Sequence, residues 1–145
     1  ILDLGCGTGL CGIEFIDLAN TLTGVDLSPS MIKKAKERNI YDSLVIGDIK
    51  TEMDGHDDQY DLIISADVFI YFGDLETEFQ AAESSLRAEG LFAFSIELNV
   101  EQATYILQST GRYAHSNKYI NDLSTSSMKK GLPTARWTII RMRSS

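Results

Sequence analysis

Residues 1–9, Ile1-Leu2-Asp3-Leu4-Gly5-Cys6-Gly7-Thr8-Gly9, run a short apolar strand with one acid straight into a glycine-rich turn. Ile1, Leu2 and Leu4 read as a strand buried in a parallel sheet. Gly5, Gly7 and Gly9 can adopt positive φ, and without Cβ atoms they let a ligand lie against bare main chain. The turn opens a predicted helix over residues 10–19, with Ile13 and Ile16 on one face and Phe15 and Leu18 on another. Unpaired amides at its start would point toward the ligand. A second apolar strand, Leu22 to Val25, ends in Asp26, at the distance past the glycines where an acid holds ribose hydroxyls. Strand, glycine turn, helix, strand and acid in this order read as a nucleotide-cofactor site. Gly7, Gly9 and Gly12 also satisfy the G-x-G-x-x-G pattern of nicotinamide-binding proteins, and the glycines alone do not separate the two kinds of cofactor.

The pattern continues beyond Asp26. Strands are expected at 43–46, 60–65 and 91–96, and helices at 29–39 and 75–88, the first started by Ser28 and Pro29. Thr51 to Gln59, rich in acids, reads as a surface loop; Glu89 and Gly90 read as the end of the third long helix. This alternation predicts an α/β fold: a doubly wound, mostly parallel sheet covered by helices. Past Ile96 the expected elements are a strand at Tyr105–Gln108, a short helix at Asn117–Leu123 and a last strand at Trp137–Met142.

Composition narrows the class. A chain of 145 residues, 43% hydrophobic, suits one domain, assigned here to residues 1–145. Its formal net charge of −8 argues against a nucleic-acid partner, since phosphate binding relies on clustered Lys and Arg. The basic run Lys33, Lys34 and Lys36 lies on one predicted helix and reads as a solvated face. Cys6 and Cys11 have no partner cysteines elsewhere, and no secretory segment is visible, so reduced thiols in a cytoplasmic protein are expected. No apolar run reaches membrane-spanning length. His56 and His115 belong to no metal-ligand cluster, and no G-x-S-x-G elbow is present.

Four stretches, ILDLGCGTG, TGVDLSPSMIKKAKER, IGDI and YDLIISADVFIYF, resemble in order the motifs of the class I S-adenosylmethionine-dependent methyltransferases. The resemblance implies a Rossmann-like fold with S-adenosyl-L-methionine as cofactor. It implies that Asp3 and the turn Gly5, Cys6, Gly7 and Gly9 face the methionine part, that Asp26 holds the ribose, and that Leu27 and Met31 flank adenine. Asp48, with the backbone of Ile49, corresponds to the position reading the adenine amino group; Ala66 and Asp67 correspond to the segment beside the sulfonium. Each acid also has a plainer reading: Asp26 could begin the following helix, and Asp48 could be a turn acid after Gly47. YILQSTGRYAHSNKYI further resembles a methyltransferase subgroup whose longer members carry tetratricopeptide repeats, although no such repeat occurs in this sequence. Two departures stand out: the sequence starts inside the first strand, where relatives carry a helical cap, and STSSMKK occupies the place of a helix and sixth strand. A fragment is therefore expected, without the N-terminal cap and incomplete toward the C-terminus.

The implied reaction is methyl transfer to an N, O, S or C atom of a small-molecule acceptor. Catalysis would rest mainly on holding donor and acceptor in near-attack geometry, with a general base only where the acceptor must lose a proton early. Asp67, Tyr71, Tyr113 and His115 are candidates, and none is assigned; His115 also reads as a surface or capping residue of a loop. Two other functions compete: a nicotinamide-dependent oxidoreductase using Gly7, Gly9, Gly12 and Asp26, and a non-catalytic relic of the fold.

Overall fold

The first strand lies inside its sheet. In a computed structural model describing residues 1–100, 104–127 and 136–142, β1 (Leu2–Leu4) pairs in parallel with β2 (Thr23–Asp26) on one side and β4 (Tyr60–Ser65) on the other. β3 (Ser43–Ile46) extends the sheet beyond β2, and β5 (Leu86–Asn99) extends it beyond β4. β7 (Tyr113–Ser116) and β8 (Arg136–Met142) both run parallel to β5, while β6 (Tyr105–Leu107) is antiparallel to β7. The order β3-β2-β1-β4-β5-β7-β6 reverses its direction of growth between β1 and β4. Ligands of doubly wound sheets bind at that crevice, beyond the carboxyl ends of the strands.

Helices α2 (Pro29–Glu37), α3 (Ile49–Asp54), α4 (Glu76–Ser85) and α5 (Asn117–Ser127) link the strands. Ser28 caps α2, its hydroxyl accepting from the Met31 amide, and Pro29 occupies the first turn as expected. Ile32 and Ala35 are its buried face, while Lys33, Lys34 and Lys36 are exposed. The core is aromatic. Phe92 and Phe94, two residues apart and so on one face of β5, meet Phe79 of α4 and Phe69 of the 3₁₀ turn Phe69–Tyr71, with ring centroids 4.9–6.2 Å apart.

Four expectations need correction. The helix predicted over residues 10–19 is a single turn, α1 (Leu10–Ile13), followed by loose turns in which amides bond mostly three residues back. Gly12 lowers the helix propensity there, and Ile13, Ile16 and Leu18 stay exposed, so no buried apolar face supports a longer helix. Residues 51–54, read as loop, belong to α3, because Asp48 caps it and Ile49 and Met53, four apart, bury into the core. α4 ends at Ser85 rather than residue 88. The Ser85 hydroxyl lies 2.7 Å from the Met53 carbonyl oxygen and 2.9 Å from that of Ala81, and β5 starts at Leu86, with Glu89 at positive φ and an irregular register opposite Tyr60–Leu62. β7 was not foreseen, and α5 continues through part of the STSSMKK stretch to Ser127; residues 128–135 lie outside the described residues.

Phe69 is fully buried against four other phenylalanines. Phe69→Ala should cost about 3–5 kcal/mol of unfolding free energy, read as a lower urea midpoint; a loss below about 1 kcal/mol would show that this cluster does not hold the fold.

Candidate functional site

The turns after β1, β2, β3 and β4 open on one cleft of about 320 Å³, lined by Gly5, Asp26, Leu27, Asp48, Ile49, Asp67, Val68, Tyr71 and Phe72. Six of these are positions singled out in the sequence for cofactor contact. Val68, Tyr71 and Phe72 form the remaining wall. Val68 and Phe72 escaped the motif reading because their position depends on the fold of the 3₁₀ turn, which Phe69 roots in the core.

Asp26 ends β2 with both carboxylate oxygens engaged by main chain. The Gly7 amide donates to Oδ2 at 2.9 Å and the Ser28 amide to Oδ1 at 2.8 Å. Neither bond exhausts its oxygen, since a carboxylate has about four acceptor positions. The acid is thus oriented while keeping capacity for ligand hydroxyls, and its supposed role as a helix cap falls to Ser28. Asp48 does cap α3, with Oδ1 accepting from the Thr51 amide at 3.1 Å and from the Thr51 hydroxyl at 3.4 Å. Asp67 sits at φ 59°, its amide donating to the Ser95 hydroxyl at 2.8 Å. That left-handed backbone is uncommon for a non-glycine residue and concentrates at functional sites.

The glycine turn divides into two parts. Gly7 has φ +53°, and a Cβ there would find only the Gly5 carbonyl oxygen, 4.0 Å away, so bare backbone faces open space. A Cβ on Gly5 would instead lie 2.3 Å from Val68 Cγ2, so glycine there serves the packing of the cleft wall. Cys6 is turned inward, packed with Ile32, Ala35, Tyr41 and Leu44, which leaves only its backbone in the turn. Burial pushes its thiol up to about 12 and that of Cys11 up to about 11. Asp3, Cys6, Gly7, Gly9, Met31 and Ala66 are not part of the cleft lining, although Met31 and Ala66 are exposed beside it in sequence. Gly12, the third glycine of the G-x-G-x-x-G match, faces Tyr41: a Cβ would lie 2.4 Å from that hydroxyl.

Of the candidate bases, Asp67 and Tyr71 line the cleft; Tyr113 and His115 do not. His115 is fully buried on β7 rather than in a loop. Its Nε2 lies 2.9 Å from the Gly73 carbonyl oxygen, which can only accept, so Nε2 carries the proton. The ring stacks on Tyr119, and burial holds its pKa below the usual histidine value.

Asp3 is the least expected member. It is 1% exposed, and the Tyr41 hydroxyl donates to its Oδ2 at 2.6 Å. Burial pushes its carboxyl up to about 6, against the opposing Tyr41 hydrogen bond and with a smaller push from Asp26.

The chain matches the family described as "Methyltransferase domain" over residues 1–90. It is 33% identical over 97 residues to a malonyl-[acyl-carrier protein] O-methyltransferase of Acetivibrio thermocellus, covering 66% of this chain and 34% of that protein. To the protein of the same name from Priestia megaterium it is 41% identical over 102 residues, covering 66% and 35%. The chain therefore spans about a third of the length of these relatives. Among solved structures, an S-adenosylmethionine-dependent methyltransferase from Mesorhizobium loti superposes with a TM-score of 0.67 at 18% identity, over 87% of this chain and 72% of that one. The YcgJ protein of Bacillus subtilis gives a TM-score of 0.69 at 18% identity, over 87% and 59%; both are likenesses of fold.

The folded-state pKa of Asp3 lies above its unfolded value, so the folded chain binds that proton more tightly. Asp3 therefore lowers stability as pH rises from about 4 to about 6, and the full cost persists above that. Asp3→Asn should stabilise the chain at pH 7.5 by on the order of 2–3 kcal/mol, the gain vanishing near pH 4. Urea melts at both pH values test this; an equal effect at both, or destabilisation at pH 7.5, would contradict it.

Proposed function

The chain belongs to the methyltransferase-domain family, whose cofactor is S-adenosylmethionine, and on that premise we propose that it transfers a methyl group from that cofactor to a small-molecule acceptor. The observation that carries the reading is the convergence of Gly5, Asp26, Leu27, Asp48, Ile49 and Asp67 on a single cleft.

The residues suit this cofactor. Bare backbone at Gly7 admits close approach of a ligand, the oriented Asp26 carboxylate suits a pair of ribose hydroxyls, and Leu27 and Ile49 offer apolar surface for a purine ring. Asp48 retains acceptor capacity for an exocyclic amine. Asp3, Asp26, Asp48 and Asp67 surround the region with negative charge, which complements a ligand bearing ammonium and sulfonium groups. The cofactor supplies an electrophilic methyl group on sulfonium sulfur, so the protein's share is binding, orientation and, for some acceptors, proton removal. Besides Asp26 and Asp48, which this reading gives to ribose and adenine, Asp67 and Tyr71 are the cleft side chains left to take a proton from an acceptor.

A small acceptor fits the formal net charge of −8, which repels polyanionic nucleic acid. Among the described residues no helix is long and apolar enough to cross a membrane. Two free cysteines fit a reducing, cytoplasmic setting. The relatives named for malonyl-[acyl-carrier protein] favour a second reading, in which the acceptor is an acyl group on a carrier protein.

Titration calorimetry with S-adenosylmethionine, S-adenosylhomocysteine and NADH tests the cofactor reading. Saturable binding of the first two is expected, weakened about tenfold or more in Asp26→Ala through loss of a charged hydrogen-bonding group. Binding of NADH alone, or unchanged affinity in a folded Asp26→Ala chain, would overturn it.

A further inference from the structure

Tyr41, in the connection between α2 and β3, lies against main chain that has no room for side chains. A Cβ on Gly9 would sit 3.0 Å from its Cε2, one on Gly12 2.8 Å from its Cζ and 2.4 Å from its hydroxyl oxygen, and one on Gly24 2.9 Å from its Cε1. Three glycines on three segments, the cofactor turn, α1 and β2, therefore leave their Cβ positions to one ring. Packed atoms do not approach closer than 3.0 Å, so Gly12 and Gly24, neither at positive φ, are glycines because of packing against Tyr41, joined at Gly24 by Leu44 Cδ2 at 2.9 Å, whereas Gly9, at φ +83°, has both a left-handed backbone and this close contact. The phenol reaches past them to the buried carboxylate of Asp3.

Arg38, at the end of α2, acts on the same turn. Its Nε donates to the Thr8 carbonyl oxygen, and its Cδ lies 3.1 Å from where a Gly9 Cβ would be. Neither Arg38 nor Tyr41 lines the cleft. One short segment thus grips the turn at two points, Thr8 and Asp3, without itself lining the ligand's space.

We propose that Arg38 and Tyr41 are positioning residues, a clamp that holds the glycine turn and the Asp3 carboxylate in the arrangement that accepts the amino-acid end of the cofactor. The inference rests on the cofactor reading above. An aromatic side chain alone would fill the space; the hydroxyl is what ties the ring to Asp3. Charge is part of the design, because a phenol donating to a carboxylate favours its ionised form. The groups acting on Asp3 and Tyr41 are Asp26 from β2, Cys6 from the turn and Cys11 from α1, none of them cationic. Tyr41 is the donor that offsets the burial of Asp3.

Tyr41→Phe keeps the ring and removes only that donor. Calorimetry should show S-adenosylhomocysteine binding about tenfold more weakly at pH 7.5. Binding of 5′-methylthioadenosine, which lacks the amino-acid end, should change by less than about twofold. The acid limb of S-adenosylhomocysteine binding, expected near pH 6 from Asp3, should move to higher pH in Tyr41→Phe and disappear in Asp3→Asn. In the Asp3→Asn background, Tyr41→Phe should lose most of its effect. Arg38→Met should weaken binding without moving the acid limb. A fold loosened in general would weaken both ligands alike and leave the limb in place, which would overturn the clamp. Wild-type chain that binds both ligands with Tyr41→Phe indistinguishable from it would overturn the clamp alone. Wild-type chain that binds neither ligand would overturn the cofactor reading and the clamp with it.

Discussion

The Asp26 carboxylate bridges two turns. By accepting from the Gly7 amide and the Ser28 amide, it joins the loop after β1 to the loop after β2 across the carboxyl edge of the sheet. Both amides would otherwise need water or ligand, and a carboxylate satisfies them through charge-assisted bonds. The glycine turn is thereby held against β2, and the cleft between the strand ends has a definite floor. Alternation of strand and helix brings the other strand ends to the same edge; this contact decides that the first two turns meet there in one geometry.

The opposite wall depends on apolar packing. Phe69 sits among Phe79, Phe92 and Phe94, which fixes the 3₁₀ turn after β4 and presents Val68, Tyr71 and Phe72 to the cleft. His115, neutral and buried, adds a second anchor by donating to the Gly73 carbonyl just beyond that turn. The polar wall is therefore set by hydrogen bonds to aspartates and the apolar wall by a core that exists for folding. A cavity in the core would be felt in the cleft, because close-packed interiors transmit displacement.

Asp3 carries a tension between stability and use. A carboxylate at 1% exposure disfavours folding once ionised, and nothing cationic among the groups acting on it compensates. Groups in such settings concentrate at functional sites. Here the acid directly precedes the glycine turn, and one phenol threaded among three glycines provides its hydrogen bond.

Much was legible from local pattern. Apolar strands, the glycine turn, the acids ending β2 and following β3, and Ser28-Pro29 as a helix start are written in consecutive residues, because period, φ preference and capping are local physics. Gly5 and Asp26 of the cleft follow from the same pattern, whereas Leu27, Asp48, Ile49 and Asp67 were implied only by the resemblance to methyltransferase motifs. Helix length after the turn was misread because apolar residues at helical spacing promise a buried face only if something covers it, and Ile13, Ile16 and Leu18 remain exposed. α3 hid in an acidic stretch whose only apolar anchors are Ile49 and Met53. Tertiary structure alone decided that Cys6 turns inward, that Gly12 and Gly24 make way for Tyr41, that His115 is core, and that Asp3 is buried under a phenol 38 residues away. Sequence determined which residues end β1, β2, β3 and β4, since those preferences act over a few neighbours; which side chains meet across those ends depends on how the sheet and helices pack in three dimensions.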